Sequence, residues 1–281
     1  MPIRIVTDSS CDLPADVVEA YGISVVPMYI NIGVESYLDG VDMSRKQFYE
    51  GLPQFEVHPT TSVPAPGQFA TAYEKLAADG ATQILSIHIS SSLSAVANSA
   101  RLAAEEVDSV PVTILDSGNL TLGTGFLAVA AAKAVAAGKN LDEVLALLSD
   151  QVPRTYCFAA LDTLYFLRRS GRLTRFQASL GSLLQVKPVL AMNNGAFDME
   201  RVRTRKGALA RVIELAESLG SLEELAIVHT HAPQDAELLR ERALHLFPGG
   251  GSPLFAEVTP VIGAHIGPGA VGFVAITATG D

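Results

Sequence analysis

The sequence predicts an α/β protein of two domains: an N-terminal, mostly parallel sheet with helices on both faces, and a C-terminal α+β domain. Three observations carry this. Short apolar runs alternate with helical stretches through the first half, the pattern of a parallel sheet covered on both faces. Three of those runs end in hydroxyl or carboxylate loops, at Asp8-Ser9-Ser10, Ser90-Ser91-Ser92 and Asp116-Ser117, the strand ends where open α/β sheets hold ligands. In the second half, Asn193-Asn194-Gly195 between apolar runs is a hairpin turn, which brings in antiparallel pairing. The stretch Gln151-Val152-Pro153 reads as the boundary, giving domains 1–152 and 153–281.

Taken in order, residues 3–7 form an apolar strand, and Pro14 opens a helix toward Tyr21, since its fixed φ and missing N–H suit a first turn. Residues 23–30 read as a second strand and residues 39–42 as a polar loop, and Ser44 starts a short helix through Gln47, Phe48 and Tyr49. Three prolines between His58 and Pro66 bar a regular element there, leaving Thr61-Ser62 just before a helix over 68–78. Residues 84–89 are a buried strand and 93–107 an Ala-rich helix. A strand follows at 112–115, then helices at 122–137 and 141–151.

The second half begins with a strand at 155–160, a short helix at 164–169 and an apolar, helical stretch at 178–184. Residues 189–192 and 197–203 pair across the hairpin, and an amphipathic helix covers 206–219. A strand at 225–229, a helix at 235–247 and a segment at 254–258 lead to the glycine-rich stretch 259–272 and a last strand at 273–277.

Composition narrows the function. Hydrophobic residues make up 48% and charged residues 18%, the balance of a folded chain. A net charge of -10 argues against a nucleic-acid partner or an anionic membrane surface, both of which need positive charge. Cys11 and Cys157 are the only cysteines and lie far apart, so no disulfide framework is expected and a reducing compartment fits. The chain enters a strand directly after Met1-Pro2, as no signal peptide does. Lys133 and Lys139 interrupt the longest apolar stretch before it reaches membrane-spanning length. The expectation is a cytoplasmic, soluble monomer with no cofactor, no metal and no stable membrane insertion.

Several motifs invite a function and lose it on context. Gly267-Pro268-Gly269-Ala270-Val271-Gly272 matches the dinucleotide pattern but precedes a strand instead of opening a helix. His229-Thr230-His231 has no acidic or Cys partner at metal-site spacing and reads as a strand end. Arg168, Arg169, Arg172 and Arg175 cluster locally, which suits one bound anion or an acidic protein partner. Cys11 sits near a helix start, where a thiol can become acidic, although an inert buried thiol is the commoner outcome. His265, alone among apolar and small residues, reads as a satisfied core histidine. The run Ser90-Ser91-Ser92-Leu93-Ser94 gathers backbone N–H groups and hydroxyls at one point, suited to a carboxylate or phosphate. The alternative, that these serines only cap the next helix, stays open.

Taken together, the segments are more specific than any one of them. Val6-Thr7-Asp8-Ser9-Ser10-Cys11-Asp12-Leu13-Pro14 resembles the opening of the DegV family, as do Thr61-Ser62-Val63-Pro64, the serine run, Asp116-Ser117, Gly171-Arg172-Leu173, Lys187-Pro188-Val189, Arg203-Thr204-Arg205-Lys206 and 264–272. The resemblance implies a bacterial fatty-acid-binding protein with a long-chain fatty acid between its two domains. It further implies presentation of that fatty acid to the catalytic subunit of an ATP-dependent fatty acid kinase, which makes acyl phosphate. Carried over residue by residue, it puts the fatty-acid carboxylate on Thr61, Ser94 and His265. Ser9, Ser91, Ser92 and Asp116 form a candidate secondary pocket. Arg203, with Arg205, falls on the kinase-docking positions. The chain departs from the family at Ser92, where Gly is usual, and at Ala95-Val96-Ala97, where Gly-Thr-Tyr is usual; these changes bear on the pocket mouth. Two other classes compete: an enzyme acting on a phosphorylated or acyl substrate through Asp8, Ser9, Ser94 and His265, and a regulatory module sensing a small anion.

Overall fold

Apolar runs of three to six residues leave little room for anything but short strands, and four of them assemble in parallel. The computed structural model describes residues 2–172, 186–250 and 253–279. Its first strand, β1 (Ile3–Asp8), leads into α1 (Ala15–Tyr21), and β2 (Ser24–Val26) returns beside it. Residues 23–30 are not one strand. Pro27 offers no N–H to the ladder, so the chain leaves the parallel sheet there and starts β3 (Tyr29–Ile32), which turns through Gly33 into β4 (Glu35–Leu38). Next come α2 (Arg45–Gly51), held by a Ser44–Gln47 capping box, and β5 (Thr60–Ser62). The prolines therefore do not exclude a strand. Pro59 and Pro64 flank it, and Thr61 pairs with Ile30 in a small antiparallel sheet ordered β4-β3-β5.

α3 (Pro66–Ala78), β6 (Gln83–His88), α4 (Val96–Glu106) and β7 (Val112–Asp116) complete the first layer, with the parallel order β2-β1-β6-β7. α4 starts three residues later than its composition suggested. Leu93 and Ser94 donate instead to the Ser90 carbonyl, forming a turn, and no side chain caps the helix. The serines are thus not its caps. α5 (Leu122–Ala136) and α6 (Leu141–Arg154) follow, and α6 passes straight into β8 (Thr155–Ala160). Gln151, Val152 and Pro153 therefore lie inside the last turn of a helix.

The second half contributes α7 (Tyr165–Arg169), the hairpin β9 (Lys187–Asn193) and β10 (Ala196–Val202), then α8 (Arg205–Glu217), β11 (Leu222–His229), α9 (Pro233–Arg242), β12 (Leu254–Glu257), α10 (Pro260–Ile266) and β13 (Val271–Thr277). Residues 178–184 and Arg175 lie outside the described residues. The strands order as β10-β9-β8-β13-β11-β12, antiparallel except for β11 with β12.

One helix joins the two sheets. α5 is apolar nearly all round, with Leu122, Leu127, Ala128 and Ala131 fully buried, as expected of a helix covered on every side. It packs on β1 and β6 and also on β8 and β13. A Cβ at Gly125 would stand 2.6 Å from the Cys11 carbonyl oxygen, so glycine sets this close approach. α10, unforeseen in the glycine-rich stretch, is the second junction. It buries Val261, Ile262 and Ala264, and Tyr49 from the first half donates to the Val258 carbonyl at 2.9 Å. Burying Val261 and Ile262 contributes about 1.5–3 kcal/mol each.

Candidate functional site

Two histidines mark two different polar environments at the carboxyl end of the parallel sheet. His88 ends β6 and is fully buried. Its Nδ1 meets Asp8 Oδ2 at 2.9 Å and its Nε2 meets Ser86 Oγ at 2.7 Å, while Tyr73 donates to Ser86 at 2.9 Å. Asp8 also accepts from the Ile89 N–H at 3.2 Å and from both the N–H and the hydroxyl of Ser10. Burial raises the Asp8 carboxyl, but the His88 bond and charge, with those from Ser10 and Ile89, outweigh it and hold the group below its ordinary value. Every polar atom of this network has a partner, and solvent does not reach it.

His265 is different. It sits in the last turn of α10 and lines a pocket with Thr61 of β5 and with Ser94 from the turn before α4. Its Nε2 lies 2.8 Å from Thr61 Oγ1, while its Nδ1 is buried with no partner. Ser94 Oγ has none among the described residues. Burial, reinforced by the charge of Arg172 and by His58, pushes the His265 imidazole down to about 3, so it is neutral at physiological pH. Hydrogen counting then gives the chemistry. The neutral imidazole and the Thr61 hydroxyl own two polar hydrogens and spend one on each other. Whichever tautomer holds, one N–H or O–H is left to donate outward, and Ser94 supplies a second donor.

Beyond this polar end the pocket is apolar. Met28, Ile89, Leu93, Leu161, Leu190 and Ile262 are among its walls, and it encloses ≈ 890 Å³ of free space, part of it open to solvent. Cys157 also lines it, its thiol pushed up to about 12 by burial. Cys11, pushed up equally by burial, is an unreactive thiol as well.

The three residues carried over for a carboxylate therefore meet in one place. The other expected sites do not. Ser9 accepts from the Met28 N–H at 3.1 Å and lines a separate cleft. Ser91 and Ser92 are exposed, and Asp116 accepts from the N–H groups of Ser91 (3.0 Å) and Gly118 (2.8 Å), fixing the turn. Among the described residues, Ser9, Ser91, Ser92 and Asp116 are not brought together in one pocket. With Asp8 sealed against His88 and Ser9 facing the other cleft, the catalytic cluster of Asp8, Ser9, Ser94 and His265 is not assembled either. Arg205 is no free cation: its guanidinium bonds Asp235 at 2.6 and 3.0 Å and the carbonyls of Ala160 and Gly269. Arg203, by contrast, is exposed. Arg172 belongs to the pocket, a placement its basic cluster hinted at but did not specify.

The remaining motifs have structural uses. Gly267 ends α10 with φ +77, and a Cβ at Gly272 would stand 1.8 Å from the Phe158 carbonyl oxygen. That explains the glycines without a nucleotide. His231 stacks on Tyr49 with ring centroids 5.7 Å apart, and Thr230 Oγ1 accepts from the Ala270 N–H at 2.8 Å. Among the described residues no group of three metal-binding side chains converges, and no helix is long and apolar enough to cross a membrane.

Comparison with known proteins agrees with this architecture. A DegV domain-containing protein of Streptomyces coelicolor is 38% identical over 275 residues, covering 97% of each chain. A fatty-acid-binding DegV family protein of Thermus thermophilus superposes with a TM-score of 0.88 at 32% identity, over 99% of this chain and 100% of that one. DegV of Bacillus subtilis, a fatty-acid-binding protein, superposes with a TM-score of 0.90 at 31% identity, over 99% and 100%. The profile of the family described as "Uncharacterised protein, DegV family" matches residues 2–278. With the family's segments in order along the sequence and its fold reproduced across both sheets, this chain belongs to the DegV family.

Proposed function

We propose that this protein binds a long-chain fatty acid, its acyl chain in the apolar pocket and its carboxyl group on Thr61, Ser94 and His265. The observation that carries the reading is the pairing of that pocket with unspent donors at one end. Moving about fourteen methylenes out of water is worth on the order of 11 kcal/mol before association costs. The head group is the expensive part, because burial favours its neutral form. Two outward donors and the Arg172 charge offset this and favour the carboxylate, while burial, reinforced by the same charge, keeps His265 neutral. The fatty-acid-binding relatives at 31–32% identity support the assignment. The site offers positioning and no activated nucleophile, so its role is to bind and present.

The presentation step follows from the same reading. An ATP-dependent fatty acid kinase is the partner, and exposed Arg203, rather than Arg205, is the docking residue, placed to meet negative charge at the kinase's nucleotide site. The first experiment is native mass spectrometry of the purified protein followed by organic extraction. A bound long-chain fatty acid is expected, and recovery of only nucleotides or sugar phosphates would overturn the assignment. The second is Arg203→Ala, which should leave fatty-acid binding near wild type and sharply reduce acyl phosphate formation with the kinase. Equal loss in both assays would place Arg203 with the lipid instead.

A further inference from the structure

Asp12 ends the turn after β1 and is buried, with 1% of its surface exposed. A buried carboxylate is costly unless its oxygens are bonded, and this one is bonded to the starts of two helices. Its Oδ2 accepts from the hydroxyl of Thr121, the residue before α5, at 2.5 Å. Its Oδ1 accepts from the N–H of Thr259, the residue before α10, at 2.7 Å. Burial pushes the carboxyl up to about 6, while Arg45, 3.8 Å away, the Thr121 bond and both the N–H and the hydroxyl of Thr259 oppose the rise. The two helices so held, 109 and 247 positions along the chain from Asp12, are the ones that join the halves of the molecule.

The arrangement is held against local preference. A threonine before a helix ordinarily accepts an N–H from the first turn. Thr259 makes no such bond and turns its hydroxyl to Asp12, leaving α10 without a side-chain cap. Asp12 and Thr121 both have positive φ, +55 and +51, a region that residues other than glycine occupy at a cost and keep only where their surroundings impose it. α10 is also short. At about 1.5 Å per residue its ends stand about 9 Å apart, with Thr259 at one and His265 at the other. A shift at Thr259 therefore reaches His265, whose Nε2 bond to Thr61 sets which donor faces the pocket. Asp12 does not itself line that pocket. We propose that Asp12 is a positioning residue for the carboxyl site, setting through Thr259 where α10 places the His265 ring. This role rests on the fatty-acid reading above.

The test uses the full chain, with palmitate as the probe and two readouts: palmitate affinity, and the NMR signals of the His265 ring nitrogens in the ligand-free protein. Asp12→Asn keeps the shape and removes the charge; Thr259→Val keeps the N–H and removes the hydroxyl. Each should shift the ring signals and weaken palmitate binding about three- to tenfold. Combined, they should cost little more than either alone, since both act through one contact. Thr259→Ser restores the hydroxyl and should return both readouts to wild type. Thr155→Val removes an equally buried hydroxyl, bonded to the Gln151 carbonyl at 2.9 Å, and should move neither. Unchanged ring signals in Asp12→Asn and Thr259→Val overturn the role, as do shifted signals with wild-type palmitate affinity. An equal effect of Thr155→Val overturns it too, because general loosening then accounts for the change. If Asp12→Asn fails to fold, Thr259→Val and Thr259→Ser decide. If wild type binds no palmitate, the fatty-acid reading falls, and the ring signals alone decide whether Asp12 positions His265.

Discussion

His88 and His265 share a residue type and one end of the same sheet, and their hydrogen bonding is opposite. His88 has both ring nitrogens partnered inside a sealed chain from Tyr73 to Asp8. His265 has one nitrogen on Thr61 and the other unpaired, beside an apolar pocket. A polar network with every bond made gains rigidity and has nothing left for a ligand. One with a bond to spare is incomplete until something binds. The difference separates a histidine whose hydrogen bonds are all made from one with a bond to spare, without reference to their sequence neighbours.

The sharpest way to break this comparison is to remove each ring. His88→Ala strands a buried Asp8 carboxylate and should cost about 3–5 kcal/mol of unfolding free energy. His265→Ala should cost far less and lower fatty-acid affinity instead. Urea unfolding of both variants decides, and equal destabilisation would make His265 a core residue. Next in size is the double change Thr61→Val with Ser94→Ala. Each hydroxyl contributes about 0.5–1.5 kcal/mol as a neutral donor and up to about 3 toward an ionised carboxylate. Fatty-acid affinity should therefore fall by one to several powers of ten, with stability preserved. Unchanged affinity would remove both residues from the site.

The pH response sharpens the contrast further. His265 is depressed from 6.5 to about 3 in the folded protein, so the unfolded chain takes up its proton first as pH falls. The stability linked to the neutral ring is complete above 6.5 and drains away toward about 3. Its ring resonances should stay flat between about pH 7 and pH 5, where an ordinary histidine titrates. A midpoint near 6.5 would show an open, hydrated ring. Asp8 is also depressed, from 3.8, so its contribution holds above that value and is lost only at lower pH. The smallest expected effect is on stability at Arg203. Arg203→Ala should change unfolding free energy by no more than about 0.5 kcal/mol, against a clear loss for Arg205→Ala, which breaks the Asp235 pair and two carbonyl bonds. Similar losses in both would mean that Arg203 too is tied into the fold.

Local sequence determined the elements that depend on short-range physics. Apolar runs marked β1, β6 and β7, the Asn193-Asn194-Gly195 turn set the hairpin, and the Ser44–Gln47 spacing started α2 where the capping box now holds it. The family's segments, read in order, singled out Thr61, Ser94 and His265, which tertiary structure brings to one pocket from positions as much as 204 residues apart. Several features could only be settled by folding. Thr60–Ser62 is a strand because Ile30 offers it an edge, a partner 31 positions away from Thr61 that no local pattern reveals. α10 is a helix in a glycine-rich stretch because Tyr49 and the core close over it, overriding weak propensity. Arg203 and Arg205 look interchangeable in sequence, yet only Arg205 meets Asp235. Most decisively, the sequence shows where histidines and hydroxyls are but not which of their hydrogen bonds are already made. That depends on three-dimensional packing, which pairs every polar atom of His88 and leaves His265 one bond short.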